Sequence, residues 1–140
     1  MILIDTNVVS ELMRPLPAPA VLDWFGCQDD TGLHLSAVGE AELRRETLIL
    51  PAGRRRDRLI AEINALVWDD FGHRVLPFDS AAAQEFAAIF ADRRAAGRAI
   101  SFPDCQIAAI ARSHGAAIAT RNGRDFDGCG IKIVDPWVPR

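Results

Sequence analysis

The sequence predicts an α/β fold with a mostly parallel central sheet. Short apolar runs alternate along the chain with longer stretches of helical periodicity, which is the pattern of strands joined by crossover helices. The 140 residues are 49% hydrophobic and 25% charged, as in an ordinary globular protein. No repeat, linker or low-complexity tract divides them, so we expect a single domain over residues 1–140.

The N-terminal part of the chain predicts a strand, two short helices, a second strand and a third helix. Residues 1–4 are an apolar run that stops at a carboxylate. Residues 8–13 and 19–26 suit helices, and the second of these has apolar residues along one side. Residues 33–35 suit a brief strand, and Ser36 can cap the helix that follows it.

The middle of the chain predicts two longer helices with a strand between them. Residues 54–70 carry apolar side chains at three-to-four spacing, which is typical of an amphipathic helix. Residues 75–78 suit a strand. Asp79 can cap the next helix, which we expect to end at Gly97, because glycine is common just past a helix end.

The C-terminal part predicts one more helix and the last two strands. The helix covers residues 102–114 and stops at Gly115, and the strands cover residues 116–119 and 131–134. In parallel sheets, ligands bind beyond the carboxyl ends of the strands. The acids that follow strands are therefore the candidates for a functional site.

Asp5 and Asp104 are two of these candidates. Asp5 directly follows the first strand, although an aspartate there also suits the N-cap of the next helix. Asp104 has a similar alternative, because Ser101 and Asp104 form an S-x-x-D capping pattern. Helical phase also sets Asp104 on the apolar face that contains Ile107 and Ala108. A carboxylate on a buried face is costly unless a cation or another partner compensates it.

Glu42 is the third candidate, chosen from three glutamates of one helix. The apolar direction of that helix is given by Val38, Ala41 and Ile49. Glu42 lies close to this direction, whereas Glu40 points about 160° away from Glu42 and should be solvated. Glu46 lies one turn further from the strand. We therefore expect Glu42 to be the inward acid near the strand edge.

Asp125 is the fourth candidate, in the loop after the strand at residues 116–119. Asp127 is also possible there, but Asp125 is followed by Phe126, which could pin the loop. Several inward carboxylates would repel one another without positive charge. Oxygen ligands without Cys or His suit Mg²⁺ or Mn²⁺, which favours phosphoryl or phosphodiester chemistry.

Four segments carry a family resemblance that covers essentially the whole chain. ILIDTN followed by SEL, LSAVGEAELR, ISFPDCQIAAIA and ATRNGRDF resemble the ordered motifs of PIN-domain ribonucleases, closest to the VapC/FitB-like toxins of type II toxin–antitoxin systems. The resemblance implies a three-layer α/β/α sandwich and Mg²⁺- or Mn²⁺-dependent cleavage of RNA with a metal-activated water. It also implies a homodimer, and a heterotetramer or larger complex with a small antitoxin that covers the acidic pocket.

The resemblance also implies roles for the candidate residues. Asp5 and Asp104 would bind the metal ion, Glu42 would bind it or orient the water, and Asp125 would act directly or through water. Polar support would come from Thr6, Asn7, Thr120 and Asn122.

Arginines supply local positive charge. Those that neighbour the acidic motifs, and so are the better candidates for contacting phosphates or an acidic antitoxin tail, are Arg98, Arg121 and Arg124. Most of the others, among them Arg93 and Arg94, are expected on solvated faces.

Two alternative functions are weighed against the ribonuclease. An aspartate-nucleophile phosphatase would attack with Asp5, but that chemistry typically wants a second acid two residues later, where this chain has Asn7. A non-catalytic PIN fold that acts only as a binding partner in autoregulation would be expected to lose acids, and all four candidates are present. Both alternatives are therefore disfavoured.

Composition indicates the compartment and excludes some partners. The net charge of −3 excludes a basic protein that coats nucleic acid, and no apolar stretch approaches the length of a membrane span. The three cysteines form no CxxC pair and would leave one unpaired in any disulfide scheme. We therefore expect a cytoplasmic protein with no membrane partner.

Overall fold

The structure, a computed structural model, describes residues 1–139. In this range the β-strands are β1 (Ile2–Ile4), β2 (Leu33–Ser36), β3 (Val75–Leu76), β4 (Ala117–Ala119) and β5 (Ile133–Val134). The α-helices are α1 (Thr6–Leu12), α2 (Pro19–Gly26), α3 (Ala37–Leu48), α4 (Arg54–Asn64), α5 (Ser80–Ala95) and α6 (Phe102–Ser113). A π-helical segment, Ala65–Phe71, continues α4, and 3₁₀ turns lie at Asp30–Gly32, Gly72–Arg74 and Gly123–Phe126.

The order of strands and helices agrees with the prediction, and the differences lie at their ends. β3 stops at Leu76 instead of residue 78, because the next residue is Pro77, which has no N–H to donate to a ladder. β5 begins at Ile133 instead of residue 131. The helix predicted over residues 54–70 continues to Phe71 but changes from α to π winding at Ala65.

The five strands form one parallel sheet in the order β3-β2-β1-β4-β5, flanked by helices as a three-layer α/β/α sandwich. β1 is central, with Ile2 beside Leu33 of β2 and Ile4 beside Ala119 of β4. The chain passes from β1 to β2 and β3 on one side, and then crosses to β4 and β5 on the other. The strand order therefore reverses between β1 and β4, and the carboxyl ends of strands at such a switch point form a crevice.

The core consists of two apolar clusters, one on each face of the sheet. Successive strand residues point to opposite faces, so Leu3 packs with α5 and α6 while Ile4 packs with α1, α2 and the π-helical segment. Both side chains are at most 2% exposed. The sheet is thus covered on both faces, and the end of β1 is held in place from both sides. Among residues 1–139, every helix is too short or too polar to span a membrane.

Candidate active site at the carboxyl end of the sheet

Asp5 lies at the end of the central strand and is 8% exposed. Its main-chain N–H donates to the Ala119 carbonyl at 3.0 Å, which fixes the backbone beside β4. Its Oδ1 accepts from the Thr6 N–H at 2.8 Å, so Asp5 is also the N-cap of α1. Its Oδ2 accepts from the Thr120 hydroxyl at 2.8 Å. The capping and site interpretations of Asp5 are therefore compatible.

A network of polar residues spans the switch point between β1 and β4. The Asn7 amide nitrogen lies 3.2 Å from both Asp5 Oδ2 and Thr120 Oγ1, and Asn7 Oδ1 accepts from the Arg121 N–H at 3.3 Å. Thr120 Oγ1 also accepts from the Asn122 N–H at 3.1 Å. Because α1 begins at Thr6 and not at residue 8, Asn7 belongs to its first turn. This network fixes the orientation of the Asp5 carboxylate.

An open pocket, called here the acidic pocket, lies beyond this edge of the sheet. It brings together all four predicted acids. Its lining residues are Asp5, Thr6, Asn7, Ser10, Glu11, Arg14, Glu42, Glu46, Asp104, Arg121, Asn122, Asp125 and Trp137. Asp104 stands in the first turn of α6, where its main-chain N–H donates to the Ser101 hydroxyl at 3.3 Å, and Asp125 is exposed at the rim.

Glu42 reaches the acidic pocket from α3, but not for the reason predicted. Of the three residues that gave the predicted inward direction, Val38 packs against the core, whereas Ala41 is exposed and Ile49 is 76% exposed, so the prediction was wrong for the last two. The buried positions of α3 include Gly39 and Leu43. Positions 39, 42, 43 and 46 form one helical stripe, which places Glu42 and Glu46 beside the buried face. Glu46 therefore lines the pocket too, although its greater distance from the strand argued against it.

Glu40 differs from the prediction of a solvated side chain. It is partly buried and pairs with Arg44 at 2.7 Å.

The Glu42 carboxylate has an unsatisfied oxygen. Its Oε1 is buried and has no hydrogen-bond partner among residues 1–139. Burial raises the pKa of Glu42, and the negative charges of Asp5 and Asp104 raise it further. Burial likewise raises the pKa values of Asp5 and Asp104, to which the charge of Asp125 adds. The acids thus repel one another in a partly desolvated pocket, which favours a bound positive charge.

We expect Glu42→Gln to stabilise the metal-free chain by about 1 kcal/mol near pH 8, because it removes a poorly solvated charge. The folded state binds the Glu42 proton more tightly than the unfolded state does. Above the raised pKa, ionisation of Glu42 therefore lowers the free energy of unfolding. This loss is recovered as the pH falls through the raised pKa towards the pKa of the unfolded chain. Urea unfolding of both proteins from pH 8 to pH 4 measures the difference, which should vanish at the acid end.

Glu46→Gln provides the control for this prediction, because Glu46 lies one turn away on the same helix and is exposed. Its substitution should change the free energy of unfolding by less than about 0.5 kcal/mol. An equal stabilisation by Glu46→Gln and Glu42→Gln would mean that net charge, and not the environment of Glu42, decides the effect.

The donor set of the acidic pocket fits a hydrated hard cation better than a closed metal cage. No group of three or more His, Cys, Asp or Glu side chains in residues 1–139 has the geometry to hold a metal ion. Mg²⁺ usually keeps several waters and is bound through one or two carboxylates, so it needs no such cage. The unpaired Glu42 oxygen and the mutual repulsion of the acids are the observations that fit such an ion.

The three arginines proposed as phosphate contacts lie in different places. Arg121 lines the acidic pocket, with its guanidinium carbon 5.1 Å from the centre of a Trp137 ring. Arg98 does not line it, and its Nη2 lies 3.6 Å from Asp127 Oδ2. Arg124 is exposed in the 3₁₀ turn and is also absent from the lining. Of the three arginines predicted to contact phosphates or an antitoxin, Arg121 is therefore the one that lines the acidic pocket.

Five residues that line the acidic pocket were not among the site residues predicted from the sequence: Ser10, Glu11, Arg14, Glu46 and Trp137. Glu11 is 6% exposed and accepts hydrogen bonds from Arg14 and from the Ala18 N–H. Its i,i+4 spacing from Asn7 on α1 is the signal that could have identified it. Trp137 comes from the C-terminal segment, and no local pattern connects that segment to the acids.

Comparison with known proteins gives the family. The PIN domain family matches residues 2–130. VapC ribonuclease Y4jK of Sinorhizobium fredii is 40% identical over 139 residues, which are 99% of each chain. Toxin FitB of Neisseria gonorrhoeae is 34% identical over 137 residues, covering 98% of this chain and 99% of FitB.

A solved structure agrees with these relatives. The structure of FitAB bound to an IR36 DNA fragment contains a chain that superposes with a TM-score of 0.93 at 33% identity, covering 100% of this chain and 98% of that one. The family match, the two relatives and the solved structure thus point to the same family. The chain therefore belongs to the PIN-domain family and, within it, to the group that resembles VapC and FitB.

Proposed function

We propose that this chain is the toxin of a toxin–antitoxin pair and acts as a Mg²⁺- or Mn²⁺-dependent endoribonuclease. The observation that carries the proposal is the meeting of Asp5, Glu42, Asp104 and Asp125, from four separate segments, in one pocket at the switch point of the sheet. Support for ribonuclease activity comes from the PIN domain and from a relative at 40% identity that is named a VapC ribonuclease.

In this proposal Asp5 and Asp104 hold the cation, and Glu42 binds it or orients the attacking water. When bound, Mg²⁺ or Mn²⁺ supplies positive charge that lowers the pKa of a water and offsets the charge of the phosphodiester. Thr120 and Asn7 keep the Asp5 carboxylate in one orientation through the hydrogen bonds they donate to Oδ2. Asp125, exposed at the rim, acts directly or through a water.

We also propose an antitoxin partner for this chain. A relative is named toxin FitB, and a similar solved chain belongs to FitAB bound to DNA. An antitoxin segment that covers the acidic pocket would need a positively charged side chain to pair with the acids. It could also carry an acidic group that pairs with Arg121. A homodimer of this chain, joined by antitoxins into a heterotetramer or larger assembly, is the expected form. The free cysteines Cys27, Cys105 and Cys129 support a cytoplasmic location.

The phosphatase alternative gains no support from the site. Asn7 stands where a general acid would be needed, and its amide is within hydrogen-bond distance of Asp5 and Thr120. It supports the position of Asp5 and has no proton to give to a leaving group. The non-catalytic alternative remains an outcome of the experiment that follows.

Expression of the chain in bacteria without an antitoxin tests the proposal. We expect growth arrest, with RNA cleaved at defined positions when the 5′ ends are sequenced, and relief of both by Asp104→Asn. Growth arrest without new RNA ends, or arrest that persists in the variant, would favour a binding protein. Hydrolysis of a simple aryl phosphate without RNA cleavage would favour the phosphatase.

We expect Arg121→Ala to raise the KM for RNA about tenfold, because Arg121 is the arginine of the three candidates that lines the acidic pocket. Arg98→Ala should leave the KM within about twofold, because its side chain pairs with Asp127 outside the pocket. Initial rates across RNA concentrations at fixed Mn²⁺ measure both. A larger effect of Arg98→Ala would mean that RNA follows a different surface.

A further inference from the structure

Arg93 is a buried arginine that the proposed reaction does not use. It lies in the last turn of α5 and is 6% exposed, whereas the adjacent Arg94 is exposed. The solvated face expected for Arg93 was therefore wrong. A buried guanidinium is costly unless its donors are satisfied, so the groups that satisfy it indicate what it does.

The Arg93 guanidinium donates to four main-chain carbonyls. On one side, Nε donates to the Arg98 carbonyl at 2.8 Å and Nη2 to the Ala99 carbonyl at 3.2 Å. On the other side, Nη1 donates to the Asp125 carbonyl at 3.3 Å and to the Asp127 carbonyl at 2.5 Å. None of the ion pairs found in residues 1–139 includes Arg93. The Arg93 guanidinium therefore binds the main chain of two segments and does not pair with a carboxylate.

The two segments that Arg93 joins each lead to an acid of the pocket. Arg98 and Ala99 lie in the loop that enters α6, where Ser101 is the N-cap and Asp104 stands in the first turn. The other two carbonyls belong to the 3₁₀ turn that presents Asp125 and to the residue that follows this turn. The planar fork of an arginine can hold both segments at once in a fixed geometry.

We propose that Arg93 is a positioning residue that sets the separation of Asp104 and Asp125, and thereby the affinity of the acidic pocket for a divalent cation. This inference rests on the proposed function. It goes beyond the acids themselves, because Arg93 does not line the acidic pocket and its hydrogen bonds hold the two loops that present them.

Arg93→Lys and Arg93→Met are the variants that test the inference in the full-length chain. Lysine keeps the positive charge but cannot hold both segments with one rigid fork, and methionine removes the charge and the donors. Arg94→Met is the matched control, because it makes the same change at the exposed neighbour. The Mn²⁺ bound by each protein is measured from the electron paramagnetic resonance signal of the free ion.

We expect Arg93→Lys to raise the dissociation constant for Mn²⁺ about tenfold, the size typical of residues that orient metal ligands, and Arg94→Met to leave it unchanged. The Mn²⁺ concentration for half-maximal RNA cleavage should rise by the same factor, with a smaller change in the rate at saturating Mn²⁺. Arg93→Lys added to Asp125→Asn should weaken binding less than it does in the parent, because one of the acids it positions is already lost.

The outcomes separate this inference from the proposed function. A parent chain that binds no Mn²⁺ and cleaves no RNA would overturn both. A parent that binds Mn²⁺, with equal binding by a folded Arg93→Lys variant, would overturn the positioning role alone. If circular dichroism and thermal unfolding show that both Arg93 variants are unfolded, Arg93 is required for folding and the positioning role is wrong.

Discussion

Asp5→Asn is expected to reduce the rate of RNA cleavage in saturating Mn²⁺ by about 1,000-fold, since it removes a charge that would bind the metal ion. Asparagine has nearly the shape of aspartate, and its oxygen can still accept from the Thr6 N–H that caps α1. The fold should therefore survive. Single-turnover cleavage of a labelled RNA measures the rate, and circular dichroism checks the fold.

Asp92→Asn provides the comparison for Asp5→Asn, because it makes the same chemical change at an exposed position of α5. It should cleave within about twofold of the parent, as surface substitutions usually leave the fold and site intact. If Asp5→Asn cleaved as fast as Asp92→Asn, the assignment of Asp5 to the metal site would be wrong.

Mn²⁺ at a hundred times its dissociation constant is expected to stabilise the parent by about 2.7 kcal/mol, because the ion binds the folded chain only. For a chain of this length the midpoint of thermal unfolding should rise by roughly 10 °C. Asp104→Asn should lose most of this gain, because Asp104 is a proposed ligand whose raised pKa reflects burial and the nearby acids. Differential scanning fluorimetry with and without Mn²⁺ measures both proteins.

The same experiment has an internal comparison, in which Mn²⁺ is replaced by an equal concentration of Na⁺. Screening of the acids by monovalent salt should raise both midpoints by a similar small amount. An equal Mn²⁺ effect on the parent and on Asp104→Asn would indicate general screening and would argue against a specific cation site.

Much of the fold could be predicted because local signals and tertiary structure agree. Leu3 and Ile4, which precede Asp5, are buried on opposite faces of the sheet. A short strand that is apolar on both faces is typical of the centre of a parallel sheet, where β1 lies. The cap residues Ser36 and Asp79 accept the hydrogen bonds expected of them, from Gly39 and Ala82. The π winding after α4 could not be predicted, because its apolar spacing is also that of an α-helix.

The position of a site residue was predictable where an acid directly follows a strand, as at Asp5. It was less predictable where the buried face of a helix had to be inferred, as at Glu42. The predicted inward direction of α3 rests on Val38, Ala41 and Ile49, of which only Val38 packs against the core, because Gly39 and Leu43 form the buried stripe. A glycine carries no apolar signal, so the stripe was not recognised. At Gly39 a side chain would meet the Ser36 hydroxyl oxygen at 3.2 Å, which explains why the smallest residue stands there.

The arginines illustrate what sequence does not contain. Arg93 and Arg98 are five residues apart, yet the first is buried against carbonyls and the second is exposed. Which of them enters the protein depends on where the turn containing Asp125 packs, and that contact is 32 residues away in the chain. Local composition has no information about such a partner.

The most direct test of the central claim is the rate at which the purified chain cleaves RNA as free Mn²⁺ is raised from a chelated baseline. We expect no cleavage above background in chelator, a saturable rise with Mn²⁺, and no rise for Asp104→Asn under the same conditions. Cleavage by the parent at the same rate in chelator and in saturating Mn²⁺ would contradict a metal-dependent site built on Asp5, Glu42 and Asp104.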